Sequence, residues 1–184
     1  MSEMVQFYVT AKDFSVVPAS PYLDVVFEVQ DHSSDRRIAM RILIDADGCP
    51  VVDAAIRIAK ANKIDCIIFC DTAHVFEKEG AETVTVSQGA DSVDFTLVNR
   101  VVGGDIVITQ DYGLAAMSLA RKAIVVSQNG MVYDDSNIDS LLLARYTARK
   151  IRNAGGRLKG PAKRTPEQDR QFRETLTRLI TDGK

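Results

Sequence analysis

Residues 41 to 130 alternate short apolar runs with stretches of helical spacing, and several of the apolar runs end on acids. Arg41-Ile42-Leu43-Ile44 leads into Asp45-Ala46-Asp47-Gly48. Val51 to Lys60 then sets Val52, Ala55, Ile56 and Ala59 at helical spacing, with Pro50 in the first-turn position that proline tolerates. Ile64 to Phe69 reads as a second strand, and the β-branched Val84-Thr85-Val86 as a third. A helix over Ala90 to Arg100 turns Val93, Leu97 and Val98 inward, and Gly103-Gly104 stops it. Asp105 to Thr109 is a fourth strand ending at Gln110-Asp111. Tyr112 to Arg121 is a helix, and Ala123 to Val126 a fifth strand. Strands separated by helices pair in parallel through right-handed crossovers. Strands this apolar carry helices on both faces. The expected class is α/β, a parallel sheet flanked by helices. Ligands of such sheets bind beyond the carboxyl ends of the strands.

The two ends of the chain read differently. Phe7-Tyr8-Val9 and Leu23 to Val29 look like strands, with Pro18 and Pro21 in the loop between. Residues 1–39 are therefore expected to form an N-terminal β appendage to a domain of residues 40–184. Asn137 to Gly156 is helical, with Ile138, Leu141, Leu142 and Tyr146 inward and Arg145, Arg149, Lys150 and Arg152 outward. A basic loop follows over residues 157–166. Thr165-Pro166-Glu167-Gln168 opens a last helix, with Thr165 as its cap, running to about Ile180.

Bulk properties exclude little. A length of 184 residues suits one domain with a real core, and the net charge of -2 gives no overall pull on a polyanion. No apolar run nears the roughly 20 residues that span a bilayer, and Met1-Ser2-Glu3-Met4 lacks a signal-peptide pattern. The expectation is a cytoplasmic chain with no membrane partner. Cys49, Cys66 and Cys70 read as reduced thiols, the latter two as core packing on a buried strand.

The acids carry the chemistry. Asp45 and Asp47 follow the first strand, Asp71 the second and Asp111 the fourth, while Asp91 and Asp94 stand one turn apart on a helix. Single aspartates after strands often cap the next helix or make a turn. Asp53, Asp65 and Asp105 are expected to be surface or capping residues of that kind. Capping alone explains the joint pattern less well. Clustered carboxylates repel unless some protonate or a cation joins them. Hard oxygen donors select Mg²⁺ or Mn²⁺, and such a site suits metal-assisted phosphodiester hydrolysis.

Three segments carry a family resemblance: residues 44–51 (Ile-Asp-Ala-Asp-Gly-Cys-Pro-Val), 89–95 (Gly-Ala-Asp-Ser-Val-Asp-Phe) and 104–115 (Gly-Asp-Ile-Val-Ile-Thr-Gln-Asp-Tyr-Gly-Leu-Ala). Asn137-Ile138-Asp139 and residues 155–161 continue it. Over about residues 40 to 180 the chain resembles the bacterial YaiI/YqxD family (UPF0178, DUF188). Asp45, Asp94 and Thr109-x-Asp111 are also similar to the pattern of PIN-like nucleases. That second resemblance implies a three-layer sandwich, bound Mg²⁺ or Mn²⁺, and RNA as substrate. It implies Asp45, Asp94 and Asp111 as catalytic ligands, with Asp91, Asp71 and Asp47 in support. One departure stands: Asp53, too near its helix start, does not match the early-helix acid of PIN-like domains.

The stretch from Arg145 to Arg173 holds ten Lys or Arg against Glu167 and Asp169. Arg149, Arg157, Lys159, Lys163 and Arg164 are its candidates for gripping a phosphate backbone; a solvated helix face is the plain alternative. Few aromatics interleave. A thiol nucleophile at Cys49, with His74 as base, ranks below packing under the turn. Three activities are carried forward: a metal-dependent ribonuclease, an RNA-binding module of the same fold without turnover, and an aspartate-nucleophile phosphatase using Asp45 and Asp47.

Overall fold

A computed structural model describes residues 40–72, 78–86, 92–155 and 163–183. The N-terminal appendage expected over residues 1–39 lies outside the described residues. The elements run β1 (Ile42–Asp45), α1 (Val52–Asn62), β2 (Cys66–Asp71), β3 (Glu82–Val86), α2 (Ser92–Arg100), β4 (Ile106–Ile108), α3 (Tyr112–Ala120), β5 (Ile124–Val126), β6 (Val132–Tyr133), α4 (Ile138–Asn153) and α5 (Pro166–Asp182).

The strands form one sheet in the order β3-β2-β1-β4-β5-β6. All neighbours are parallel except β5 and β6. From β1 the chain builds outward through β2 and β3, then returns to place β4 on the other side of β1. The strand order thus reverses between β1 and β4, where open α/β sheets form their ligand crevice.

Strand alternation divides the core in two. Ile42 and Ile44 of β1, Cys66, Ile68 and Cys70 of β2, and Ile106 and Ile108 of β4 face α1 and α5. Leu43, Ile67, Phe69, Val107 and Val125 face the other way, onto residues of α2, α3 and α4. Helices therefore cover both faces, as the unbroken apolar strands require. Val52, Ala55, Ile56 and Ala59 are the buried face of α1, as their spacing predicts. At the far end of the chain Phe172, Leu176 and Ile180 of α5 are completely buried. Thr165 and Gln168 form a reciprocal capping box at the start of α5, with Pro166 in its first turn. Among the described residues no helix is long and apolar enough to cross a membrane.

Four readings change. Strand β6 was not expected; it is a two-residue antiparallel partner of β5, joined by a turn in which Gly130 takes a φ of +83°. Asp105 is buried rather than superficial: its carboxylate accepts from Arg41 Nη2 at 2.6 Å, Arg41 Nε at 3.1 Å and the Val102 N–H at 2.8 Å. Tyr146 is 57% exposed instead of inward, and Lys150 lies over its ring at 5.1 Å. Pro50 precedes the helix, since α1 begins at Val52 after Val51.

Candidate active site at the strand ends

The reversal between β1 and β4 brings Asp45 beside Thr109. The Thr109 hydroxyl donates to Asp45 Oδ2 at 2.7 Å and accepts from the Asp111 N–H at 3.0 Å. One side chain thereby ties the carboxyl end of β1 to the segment that follows β4. The Tyr133 hydroxyl donates to the Thr109 carbonyl at 3.5 Å from the β6 side. Burial pushes the Tyr133 phenol up to about 12, so it stays protonated and able to donate.

The two carboxylates live in opposite environments. Burial raises the Asp45 pKa; the bonds from Thr109 and the Asp47 N–H oppose that rise, and the charges of Asp47 and Asp111 add to it. Asp111 is the N-cap of α3: its Oδ1 accepts from the Gly113 and Leu114 N–H groups at 2.6 and 3.2 Å. Its Oδ2 accepts from Arg145 Nη1 at 2.6 Å. Burial pushes Asp111 upward, but Arg145 and the two backbone donors outweigh it and hold the carboxyl below its usual range. Burial thus works against the charge on Asp45, while Arg145 and the α3 N-terminus favour the charge on Asp111.

The other candidates are placed as follows. Asp47 is exposed in the turn after β1. Asp71 ends β2 half-buried, and Asp94 lies half-buried in the first turn of α2. Asp91, His74, Arg157 and Lys159 lie outside the described residues. Asp45 is close enough to Asp47 and to Asp111 for its charge to interact with each of theirs. Among the described residues no group of three or more His, Cys, Asp or Glu side chains is gathered for a metal ion.

The cations divide as well. Arg149 and Lys163 are exposed. Arg164 is tied into the fold, donating to Asp169 Oδ1 at 2.7 Å, Asn129 Oδ1 at 2.7 Å and the Gln128 carbonyl at 2.8 Å. Cys49 accepts from the Val51 and Val52 N–H groups at the start of α1, yet burial pushes its thiol up to about 11. It is a protonated helix-start residue, poorly suited to nucleophilic attack.

Two parts of the site escaped sequence reasoning. Arg145 reads as one more outward cation of a basic helix, and only its spacing from Asp111 in the fold singles it out. Tyr133 belongs to the strand that was missed; the Asn129-Gly130 pair ahead of it is the turn signal that could have found it. A larger concavity, about 490 Å³ around Arg41, Asp65, Cys66 and Glu82, lies at the opposite, amino end of β1 to β3. The acids at that end, Asp105, Asp65 and Glu82, surround Arg41, whose charge they balance, whereas Asp45 and Asp111 stand at the carboxyl edge, where sheets of this kind bind ligands.

Comparison with known proteins agrees with the motifs. The family profile DUF188, described as "Uncharacterized BCR, YaiI/YqxD family", matches residues 43–182. A UPF0178 protein of Exiguobacterium sibiricum is 53% identical over 143 residues, which cover 78% of this chain and 98% of the relative. A UPF0178 protein of Clostridium kluyveri is 48% identical over 145 residues, 79% of this chain and 95% of that one. One from Clostridium acetobutylicum is 44% identical over 147 residues, 79% of this chain and 99% of its own length. No solved structure matches the chain. With the profile spanning most of the sequence and relatives aligned over nearly their whole length, the chain belongs to the YaiI/YqxD family, also designated DUF188 and UPF0178.

Proposed function

We propose that this chain is a divalent-metal-dependent ribonuclease of PIN-like type, acting in the cytoplasm on RNA. The observation that carries the reading is the Asp45–Thr109–Asp111 arrangement at the point of strand reversal. A structural cap accounts for Asp111 alone; it does not account for a partly buried Asp45 held against a threonine hydroxyl.

The donor set fits a small, hard cation that keeps much of its water. Asp45 supplies an oxygen in a setting where ionisation is opposed by burial and neighbouring charge, and a cation relieves both. Mg²⁺ is commonly held by one or two carboxylates, with waters and substrate phosphates completing its shell. When bound, such an ion lowers the pKa of water and neutralises charge that develops on the phosphoryl oxygens. The chain's own contribution is positional. Thr109 fixes the Asp45 rotamer. The α3 N-terminus fixes Asp111. Arg145, half exposed, pairs with Asp111 and can turn to a phosphate that enters. Arg149 stands one turn further along α4 and extends the cationic row away from the strand ends.

The test is cleavage of end-labelled single-stranded RNA during a Mn²⁺ titration. Wild type is expected to cut, and Asp45→Asn and Asp111→Asn to lose about a hundredfold or more. Equal activity in wild type and the double variant sinks the proposal. The ion pair on Asp111 favours one second reading, an RNA-binding module without turnover. That reading requires salt-sensitive RNA binding that survives Asp45→Asn, with no cleavage at any Mn²⁺ concentration.

A further inference from the structure

Past its first turns, helix α4 buries almost nothing. Ile138 is buried, and Leu141 and Leu142 pack against the core on the α2 and α3 side. From Leu143 to Gly155 every residue except Ala148 is exposed. Three of these are large and apolar: Leu143 is 64% exposed, Tyr146 57% and Ile151 42%. Large apolar side chains gathered on one exposed helix mark a surface that associates with something. Arg145, from the same stretch, turns back to the strand ends and meets Asp111.

Helical geometry sorts the exposed side chains into rows. Arg145 and Arg149 form one row, leading away from Asp111. Tyr146 and Lys150 form the next, with Leu143 one turn before the tyrosine. Lys150 holds its ammonium 5.1 Å from the centre of the Tyr146 ring. Arg152 adds a further exposed cation, whereas the one acid of the helix, Asp139, stands in its first turn. The face so interleaves cations with an aromatic ring. Its complement is a polyanion whose charges alternate with flat apolar groups. An unpaired nucleic-acid strand has that chemistry, since each phosphate brings a base with an open π face. A duplex hides those faces in its stack, and an anionic lipid surface or a run of acidic residues has charge without them.

We infer that α4 is a single-strand binding helix, in which Arg145, Arg149 and Lys150 hold phosphates, Tyr146 stacks on a base and Leu143 widens the apolar platform. The inference deepens the proposed function and rests on it only for the course of the strand to Asp45 and Asp111. Stacking tolerates any base, so the helix selects unpaired over paired strands and not one sequence over another. Periodicity hides this grip, because spacing alone counts Tyr146 as core.

The experiment follows the fluorescence anisotropy of an end-labelled, unstructured RNA of about twelve nucleotides mixed with full-length protein in chelator. The same RNA as a blunt duplex, and the same backbone made abasic throughout, are the comparison probes. Wild type is expected to bind the single strand tighter than either. Tyr146→Ala is expected to weaken single-strand binding about tenfold and to leave binding of the abasic backbone unchanged. It should also leave the salt dependence and Tm unchanged, since the ring is uncharged and exposed. Tyr146→Phe is expected to keep the affinity. Equal single-strand binding by wild type and Tyr146→Ala, a duplex bound as tightly as the single strand, or an equal loss on the abasic backbone overturns the inference. So does a Tyr146 dependence seen with phosphatidylglycerol vesicles or polyglutamate and absent with RNA, which assigns the face to a lipid or a protein. Without metal nothing is cut, so the two readings fail separately. Cleavage with no effect of Tyr146→Ala on binding sinks this inference alone, and Tyr146-dependent binding without cleavage at any Mn²⁺ concentration sinks the nuclease reading alone.

Discussion

Asp45 and Asp111 give opposite signatures in stability. The Asp45 pKa lies above its unfolded value of about 4, so the folded chain holds that proton more tightly. Its favourable contribution is complete below the unfolded value and is lost as pH rises through the folded one. Asp111, held down by Arg145 and two N–H groups, contributes above the unfolded value and loses that contribution as pH falls through the folded one. In chelator at pH 7, Asp45→Asn is therefore expected to raise Tm and Asp111→Asn to lower it, each by a few degrees, about 2–4 °C. Both differences should shrink on acidification below about pH 4, as thermal melts across a pH series will read. The same sign for both variants at pH 7 would contradict this account. The two acids were legible in the sequence because each follows an apolar run. Their contrast was not. It depends on Thr109 and Arg145, which lie 64 and 34 residues away from the carboxylates they hold. Asp105 was misjudged for a related reason: a strand-start acid looks solvated until Arg41, from another strand's start, is laid against it.

At the scale of elements, the β5–β6 turn and α5 depend on one close approach. A Cβ on Gly130 would stand 2.8 Å from the Gln171 carbonyl oxygen, and the residue already needs a positive φ. Gly130→Ala is expected to destabilise by more than about 1 kcal/mol, measurable by urea unfolding, because both the backbone conformation and the neighbouring main chain resist it. Unchanged stability would mean that α5 slides on this turn. Most elements were readable from periodicity: α1 and α5 show their buried stripes directly, and the central strands are too apolar to be anything else. Short elements escape such reading. Two residues of β6 carry no period, and their assignment rests on pairing with β5. Tyr146 matched an inward spacing on α4, but α4 keeps only Ile138 fully buried, so its later turns have little to pack against.

Across the whole molecule, charge is nearly balanced at -2, so on the proposed ribonuclease reading long-range steering of RNA would be weak and contact would come from the local row on α4 and at Lys163. With about three phosphates engaged, the logarithm of RNA affinity should fall against log salt with a slope near about -2. Arg149→Ala with Lys163→Ala should make that slope shallower by about 1.4, as fluorescence anisotropy at several salt concentrations will read. An unaltered slope would move the RNA path off this face. The Arg145–Asp111 bond also has a thermodynamic consequence. Arg145 of α4 already neutralises the Asp111 carboxylate, so on the proposed metal-dependent reading the guanidinium and a cation would compete for it. A polyanion that drew Arg145 away would return that charge to the strand ends and tighten their hold on such a cation. By reciprocity the cation, by displacing Arg145, would tighten the hold on the polyanion by the same factor. On the proposed reading, metal and nucleic acid would in this way be mutual effectors through a single side chain.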